Sequence, residues 1–355
     1  MVKSMDNRNI GDTFTQLSLF DTLNVQGVSC LSSFDYMYST LNLQKAWYMF
    51  SRGKHSRLDV MSYERELEQN IFKLQEELAS GEYRHGRYQP FTVWDPKQRR
   101  IHKATVEDRI IHQLIVNTIE PFFEPRFIFD SYSCRKGKGT HAAIQRLRSF
   151  LRTASSNNTD TIYALKCDIK QFFASVDHTK LMELIKARVS DDQAIELIRI
   201  VIDSYSETPG KGIPLGNLTS QLFANIYMHE FDWFVKQTMR EKHYLRYCDD
   251  FIILSTDRDH LLSLIQPISA FLEGTLQLSL HPNKLELRSW NQGIDFLGYV
   301  LKPHSTVLRS KTKNRALRSV NEDNISSYLG LCVHADAYEL SNLMRTIVWQ
   351  NTIGS

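Results

Sequence analysis

The chain has 355 residues, with 43 Lys+Arg against 40 Asp+Glu, so its formal net charge is +3. Hydrophobic residues make up 42% and charged residues 23%, an ordinary globular composition that excludes a disordered chain, a collagen-like fibre and a disulfide miniprotein. No run approaches the roughly 20 apolar residues of a membrane span, the start MVKSMDNRNIGDTF lacks the apolar stretch of a secretory signal, and the length points to two or three domains or subdomains.

The small total hides local structure. Arg57–Glu82 holds three basic and seven acidic residues, net −4. Arg135–Arg152 holds six basic residues and no acid, and Lys302–Arg318 repeats that count. Two such basic stretches point to a polyanionic partner, against the plainer reading of solvated helix faces. Cys30, Cys134, Cys167, Cys248 and Cys332 are scattered, with no CxxC and no paired Cys/His spacing. That argues against structural zinc and fits a reducing, cytoplasmic setting.

In chain order, residues 1–35 are polar and weakly patterned and read as an N-terminal arm. Val60, Tyr63, Leu67, Ile71, Leu74 and Leu78 recur at helical spacing, which predicts one amphipathic helix closed by Gly81. Phe91–Lys103 reads as two short strands around a basic turn at Asp95–Arg100. A helix from about Glu107 to Ile119 should end at Pro121, and another covers Thr140–Leu151. Ala154–Asp160 is a polar, turn-rich boundary. Thr161–Ile169 suits a buried strand. Helices are expected over Asp177–Ser190, Gln193–Ser204, Thr219–Lys236 and Asp259–Leu272. Strands are expected over Tyr244–Leu254 (two, joined at an acidic turn), Lys284–Arg288 and Ile294–Leu301. The last 50 or so residues read as helical. The central order of strands and helices indicates an α+β domain on a mostly antiparallel sheet.

The most informative residues are Asp249 and Asp250, adjacent carboxylates between two strongly apolar strands. Like charges about 4 Å apart repel by roughly 4 kcal/mol at an effective dielectric near 20. A solvent-exposed turn is the alternative, but tight hairpin turns favour Gly or Asn, and Cys-Asp-Asp supplies neither. Mg²⁺ prefers such oxygen ligands and shares them with substrate phosphates. Asp168, ending another strand, can add a third carboxylate. Three carboxylates can hold two ions about 3.5–4 Å apart, one at the attacking hydroxyl and one at the leaving pyrophosphate.

Tyr247-Cys248-Asp249-Asp250 resembles the YxDD motif of reverse transcriptases, and the surrounding order matches. DIKQFFASVD (168–177) resembles their motif A, GIPLGNLTSQLFANIY (212–227) motif B, LHPNKLEL (280–287) motif D and GIDFLGYVL (293–301) the primer grip. KQRRIHKATVEDRIIHQLI (97–115) and FDSYSCRKGKGTHAAI (129–144) resemble the two fingers motifs of bacterial and intron-type enzymes. The resemblance covers roughly residues 55–345. It implies a right-hand polymerase fold, with fingers over 36–160, palm over 161–302 and a small helical thumb over 303–355.

By this resemblance Asp168, Asp249 and Asp250 are the catalytic carboxylates, and Asp168, Asp249, Asp250 and the Ile169 carbonyl hold two Mg²⁺ ions, with Mn²⁺ as an alternative. Phe173 falls at the steric gate against a ribose 2′-OH. Because adjacent strand residues face opposite ways, only one of Phe172 and Phe173 is expected to reach the site. Lys97 and Arg100 match the residues that grip the incoming dNTP, with Arg99 as a competitor. Gln221 and Lys284 also belong to the dNTP side, Lys284 as proton donor to pyrophosphate. Arg135, Lys136, Asn217 and Gly298 are assigned to template and primer.

The form Leu215-Gly216-Asn217-Leu218-Thr219-Ser220-Gln221 is similar to motif B in reverse transcriptases of diversity-generating retroelements. That implies error-prone copying of an RNA template from a DNA or RNA primer, with a small basic accessory protein. One alternative is a defence-associated (antiphage) reverse transcriptase copying a dedicated non-coding RNA. The alternative of another class is a catalytically idle nucleic-acid-binding module. No membrane partner is expected.

Overall fold

The alternation of strand β5 sets the architecture. Phe251 and Ile253 enter one core while Ile252 and Leu254 enter another, so the strand is buried on both faces. The structure, a computed structural model, describes residues 36–94 and 98–353. The expected arm at 1–35 and Lys97 lie outside the described residues.

The N-terminal third is mostly helical: α1 (Thr40–Ser51), α2 (Leu58–Arg65), α3 (Leu67–Ala79), the hairpin β1 (Gln89–Val93) and β2 (Arg99–Lys103), α4 (Val106–Phe123) and α5 (Thr140–Ala154). The single helix expected over 60–81 is two. The backbone leaves helical geometry at Glu66, and the Asn70 side chain donates to the Tyr63 carbonyl that the break frees. Pro121 does not end α4. It sits in the last turn, where its missing N–H forfeits one bond in a helix already buried along Ile110, Leu114 and Ile119. The start of α4 is a capping box, Thr105 with Asp108.

The central sheet has the order β4-β5-β3-β6, all antiparallel, from β3 (Tyr163–Asp168), β4 (Tyr244–Tyr247), β5 (Asp250–Ser255) and β6 (Glu286–Ser289). Between β3 and β4 come the single turn α6 (Phe172–Ser175), α7 (His178–Lys186), α8 (Asp192–Asp203) and the long α9 (Leu218–Trp233). The helix expected after β5 divides into α10 (Arg258–Ser263) and α11 (Ile265–Leu276). These helices and α1 to α4 cover one face of the sheet in the larger core, with Leu165, Cys167, Phe231 and Ile253.

A three-stranded sheet follows: β7 (Ile294–Phe296), β8 (Tyr299–Leu301) and β9 (Thr306–Leu308). The stretch expected as strand over 294–301 turns back at Leu297-Gly298. Both residues have positive φ, as a type I′ turn requires. Helices α12 (Ser310–Ser319), α13 (Ile325–Cys332) and α14 (Tyr338–Ile353) close the chain. Ala316, Val320, Cys332 and Met344 from this end share one core with α5 and with Leu245 and Ile252 of the central sheet. Among the described residues, no helix is long and apolar enough to cross a membrane.

Candidate active site

Antiparallel pairing brings the acidic residues together. Asp168 at the end of β3 lies opposite Asp250 at the start of β5, and Asp250 lies opposite Tyr247 on β4. Residues directly opposite share a face. Cys248 and Asp249 form the turn between β4 and β5, and Cys248 sits at φ +59, unusual for a residue with a Cβ.

Segment 279–284 tracks the other edge of motif A. Lys170 N–H donates to the Ser279 carbonyl and His281 N–H to the Asp168 carbonyl, both at 2.8–2.9 Å, flanking the Ile169–Leu280 bridge. In such a pair the N–H and C=O of Ile169 itself face away from Leu280, toward the side where β5 pairs with β3. The same segment delivers Lys284, whose Nζ is 2.8 Å from Asp168 Oδ2.

The remaining Asp168 oxygen, Oδ1, is buried without a hydrogen-bond partner. Burial and the neighbouring Asp168 charge raise the pKa of Asp249. Burial, then the charge of Asp249, push Asp250 up to about 7, against the opposing pull of Lys166. Carboxylates that resist ionising beside an orphaned oxygen form a hard-oxygen set short of positive charge, which fits a divalent cation. Among the described residues, no three His, Cys, Asp or Glu side chains converge on one ion position.

One concavity touches Asp250 and a second lies beside the motif B loop. A groove of about 770 Å³ runs from Lys166 and Asp250 past Gly298 to Arg309, Lys311 and Arg318 of the C-terminal region. A smaller cavity of about 300 Å³ lies between β2 and the start of α9, lined by Lys54, Arg57, Lys103, Arg109, Gly216 and Gln221. Ile101 and Lys103 of β2 line it; Arg100 and His102 take the opposite face, where the His102 ring packs on Tyr205 at 4.7 Å. Arg99 and Arg100 thus point to different faces of the hairpin.

The motif B loop is fastened to β2. Asn217 Nδ2 donates to the His102 carbonyl at 2.9 Å, and His102 N–H to the Leu215 carbonyl at 3.2 Å. Asn217 is buried and spends its amide on protein backbone, not on a strand of nucleic acid. Gly216 has φ +99, and a Cβ there would lie 2.6 Å from Ile101 Cγ2.

Other expectations need correction. Arg135 is not available to a template. Its side chain is 7% exposed, paired with Glu124 at 2.8 Å and donating to the Ile128 and Ser131 carbonyls. Lys136, by contrast, is 87% exposed, its nearest acid being Glu120 at 3.7 Å. Half of the six basic residues from Arg135 thus have an acidic partner outside the run, in Glu120, Glu124 and Asp130. Phe172 is buried and Phe173 half-buried, but strand alternation is not the reason. The two lie on the helical turn α6, rings 5.3 Å apart and 75° inclined.

Sequence reasoning missed Lys166, which faces the groove beside Asp250, and Arg246, a fully buried guanidinium behind the acidic turn. The signal for both was a cation at an alternating position within an apolar strand.

Strand-end carboxylates with a cation-lined groove leading away suit a polyanionic substrate, as in the class of nucleic-acid polymerases. Residues 94–301 match the family "Reverse transcriptase (RNA-dependent DNA polymerase)", and the chain belongs to it. Among its curated relatives, protein YkfC of Escherichia coli (strain K12) is 26% identical over 273 residues, 64% of this chain and 70% of that protein. Group II intron-encoded protein LtrA of Lactococcus lactis subsp. cremoris is 24% identical over 292 residues, 62% of this chain. The chain spans 48% of the length of LtrA. Among solved structures, apo telomerase from Candida tropicalis, truncated from the C-terminal domain, aligns with a TM-score of 0.47 at 14% identity, over 68% of this chain and 60% of that one.

Proposed function

We propose that this chain synthesises DNA on an RNA template by two-metal-ion nucleotidyl transfer at Asp168, Asp249 and Asp250. The observation that carries the reading is the pairing of Asp168 with Asp250 at adjoining strand ends, Asp249 on the intervening turn and one Asp168 oxygen left orphaned. Asp168, Asp249, Asp250 and the Ile169 carbonyl are the residues that would hold Mg²⁺ or Mn²⁺. The ions would supply activation of a primer 3′-hydroxyl and charge neutralisation at the leaving pyrophosphate.

The chain's own residues do the rest. Arg100, with Lys97, grips the dNTP triphosphate through charge-assisted bonds. The half-buried Phe173 ring crowds a ribose 2′-OH and favours deoxynucleotides. Lys284, hydrogen-bonded to Asp168, is the proton donor to pyrophosphate. The groove beside Gly298 takes the template–primer duplex, and Lys136 contacts the template backbone without reading sequence. Fingers, palm and thumb are assigned to residues 36–160, 161–302 and 303–355.

The finer reading is a retroelement enzyme that copies with errors at adenines, supported by Leu215–Gln221 and by the place of Gln221 in the small cavity beside β2. Primer extension on an RNA template tests the coarser reading. Asp249→Asn and Asp250→Asn should abolish cDNA synthesis with unchanged circular dichroism, and extension by a folded double variant refutes it. Sequencing cDNA made in cells tests the finer one. Substitutions clustered at template adenines support it, and uniformly faithful copies overturn it.

A further inference from the structure

Arg246 is the largest fully buried side chain among the described residues. A guanidinium carries five N–H donors, and here five acceptors meet them. Nε donates to Asp232 Oδ1 and Nη2 to Asp232 Oδ2, both at 2.7 Å. Nη2 also reaches Ser131 Oγ at 3.0 Å, and Nη1 reaches Asn225 Oδ1 at 3.4 Å. The fifth bond, Nη1 to the Cys248 carbonyl at 2.9 Å, goes to the residue that precedes Asp249.

The partners are themselves fixed. Tyr244 Oη donates to Asp232 Oδ1 at 2.7 Å, and Asn225 Nδ2 to the Ser133 carbonyl at 2.9 Å. Asp130 accepts the Arg246 backbone N–H, and Tyr132 donates back to the Arg246 carbonyl, both at 2.9 Å. Three separate pieces of chain meet at this one side chain: Asp130–Ser133, the second half of α9 from Asn225 to Asp232, and β4.

A buried ion pair alone is weak evidence for a role, since apolar residues of similar volume often replace one at no loss of stability. The bond to Cys248 is different in kind. Cys248 holds a left-handed backbone conformation that a side-chain-bearing residue seldom adopts. Such a conformation persists only where its surroundings over-determine it.

We propose that Arg246 is a positioning residue: clamped by Asp232, Ser131 and Asn225, it holds the Cys248 carbonyl and so fixes the turn that presents Asp249 beside Asp168. The proposal rests on the reading of these carboxylates as the polymerase site. The planar fork matters to it, because separate nitrogens hold the two partners, Nε and Nη2 on Asp232 and Nη1 on Cys248, whereas a lysine gathers its three N–H donors on one nitrogen.

The test compares full-length wild type with Arg246→Lys. Hydrogen exchange followed by mass spectrometry reads the amides at 248–250 against those in the middle of β3 and β5. Single-turnover addition of one nucleotide to an RNA-templated primer reads the rate, the dNTP dependence and the primer–template Kd. The expected result is faster exchange at 248–250 with sheet protection kept. The saturating rate should fall by about 100-fold, the effect of misplacing a reacting group by about 1 Å, while both affinities hold. Wild-type exchange at the turn with a wild-type rate overturns the proposal. So does a rate loss matched by uniform loss of protection across the sheet. If Arg246→Lys fails to fold, Asn225→Ala removes one clamp and leaves the ion pair; the same pattern, reduced to about 10-fold, is expected, and an unchanged turn and rate overturn the proposal. A wild-type protein that extends no primer defeats the polymerase reading alone, because exchange still decides whether Arg246 holds the turn.

Discussion

His112 gives a test of the folded state that is independent of chemistry. It lies on α4 at the wall of the small cavity beside motif B. His85 Nδ1 donates to the Gly86 carbonyl at 2.7 Å, so His85 Nε2 accepts from His112 Nε2–H at 3.1 Å. That leaves His112 Nδ1 as a buried acceptor without a partner, and a second proton there would meet no acceptor. Burial lowers the pKa of His112 from 6.5 to about 3. The sign follows from linkage. Above 6.5 neither state binds the proton. Below it the unfolded chain does and the folded chain does not, so stability falls with pH until the folded pKa is reached. At pH 5 the loss is about 2 kcal/mol, from roughly 1.4 kcal/mol per pH unit. Half-buried Asp249, Asp250 and Glu107 have raised values and act in the opposite sense, so the wild-type slope alone is not diagnostic. Urea unfolding of wild type and His112→Gln at about pH 7.5 and about pH 5 isolates the term. The wild-type minus variant difference should shift by about 2 kcal/mol against wild type at the lower pH. A difference that does not move with pH refutes the reasoning.

Three further outcomes are expected. Gly216→Ala forces a Cβ to 2.6 Å from Ile101 Cγ2 at φ +99, and should cost about 2–4 kcal/mol in chemical denaturation, combining strain and overpacking; a cost below about 0.5 kcal/mol would mean that the hairpin yields freely. Arg135→Ala should lower the melting temperature and leave the salt slope of template binding alone, whereas Lys136→Ala should leave melting alone and reduce that slope by about one phosphate contact; the reverse pattern would restore Arg135 to the template. Phe173→Ala should raise ribonucleotide incorporation in primer extension, and an unchanged dNTP/rNTP preference removes Phe173 from the gate.

The clustered carboxylates were legible because they violate a local rule. Cys248-Asp249 is a poor hairpin turn, and the structure confirms the strain at Cys248 rather than a relaxed loop. Strand periodicity was legible for the same reason that β3 and β5 are buried on both faces: short, continuous apolar runs. What stayed hidden depended on distant partners. Nothing near Arg135 in sequence announces Glu124 as its counter-charge, and nothing near Asn217 shows that its amide is taken by the His102 carbonyl. Phe172 and Phe173 were read with strand alternation because the apolar run continues past Asp168, yet Gln171 at φ +46 ends the strand and starts a helical turn. The third strand β9 is three residues long, too short for any periodicity to register.

The second core has a consequence for the C-terminal region. Ala316, Val320, Cys332 and Met344 cover the back of the same sheet whose ends carry Asp168 and Asp250, sharing a core with Leu245 and Ile252. The boundary proposed after residue 302 therefore does not divide two packing units. Cutting the chain there would open to water part of the apolar wall that α5 and the C-terminal helices cover together. Such a fragment would bury that wall against copies of itself, so its first symptom would be insolubility rather than weak grip on nucleic acid.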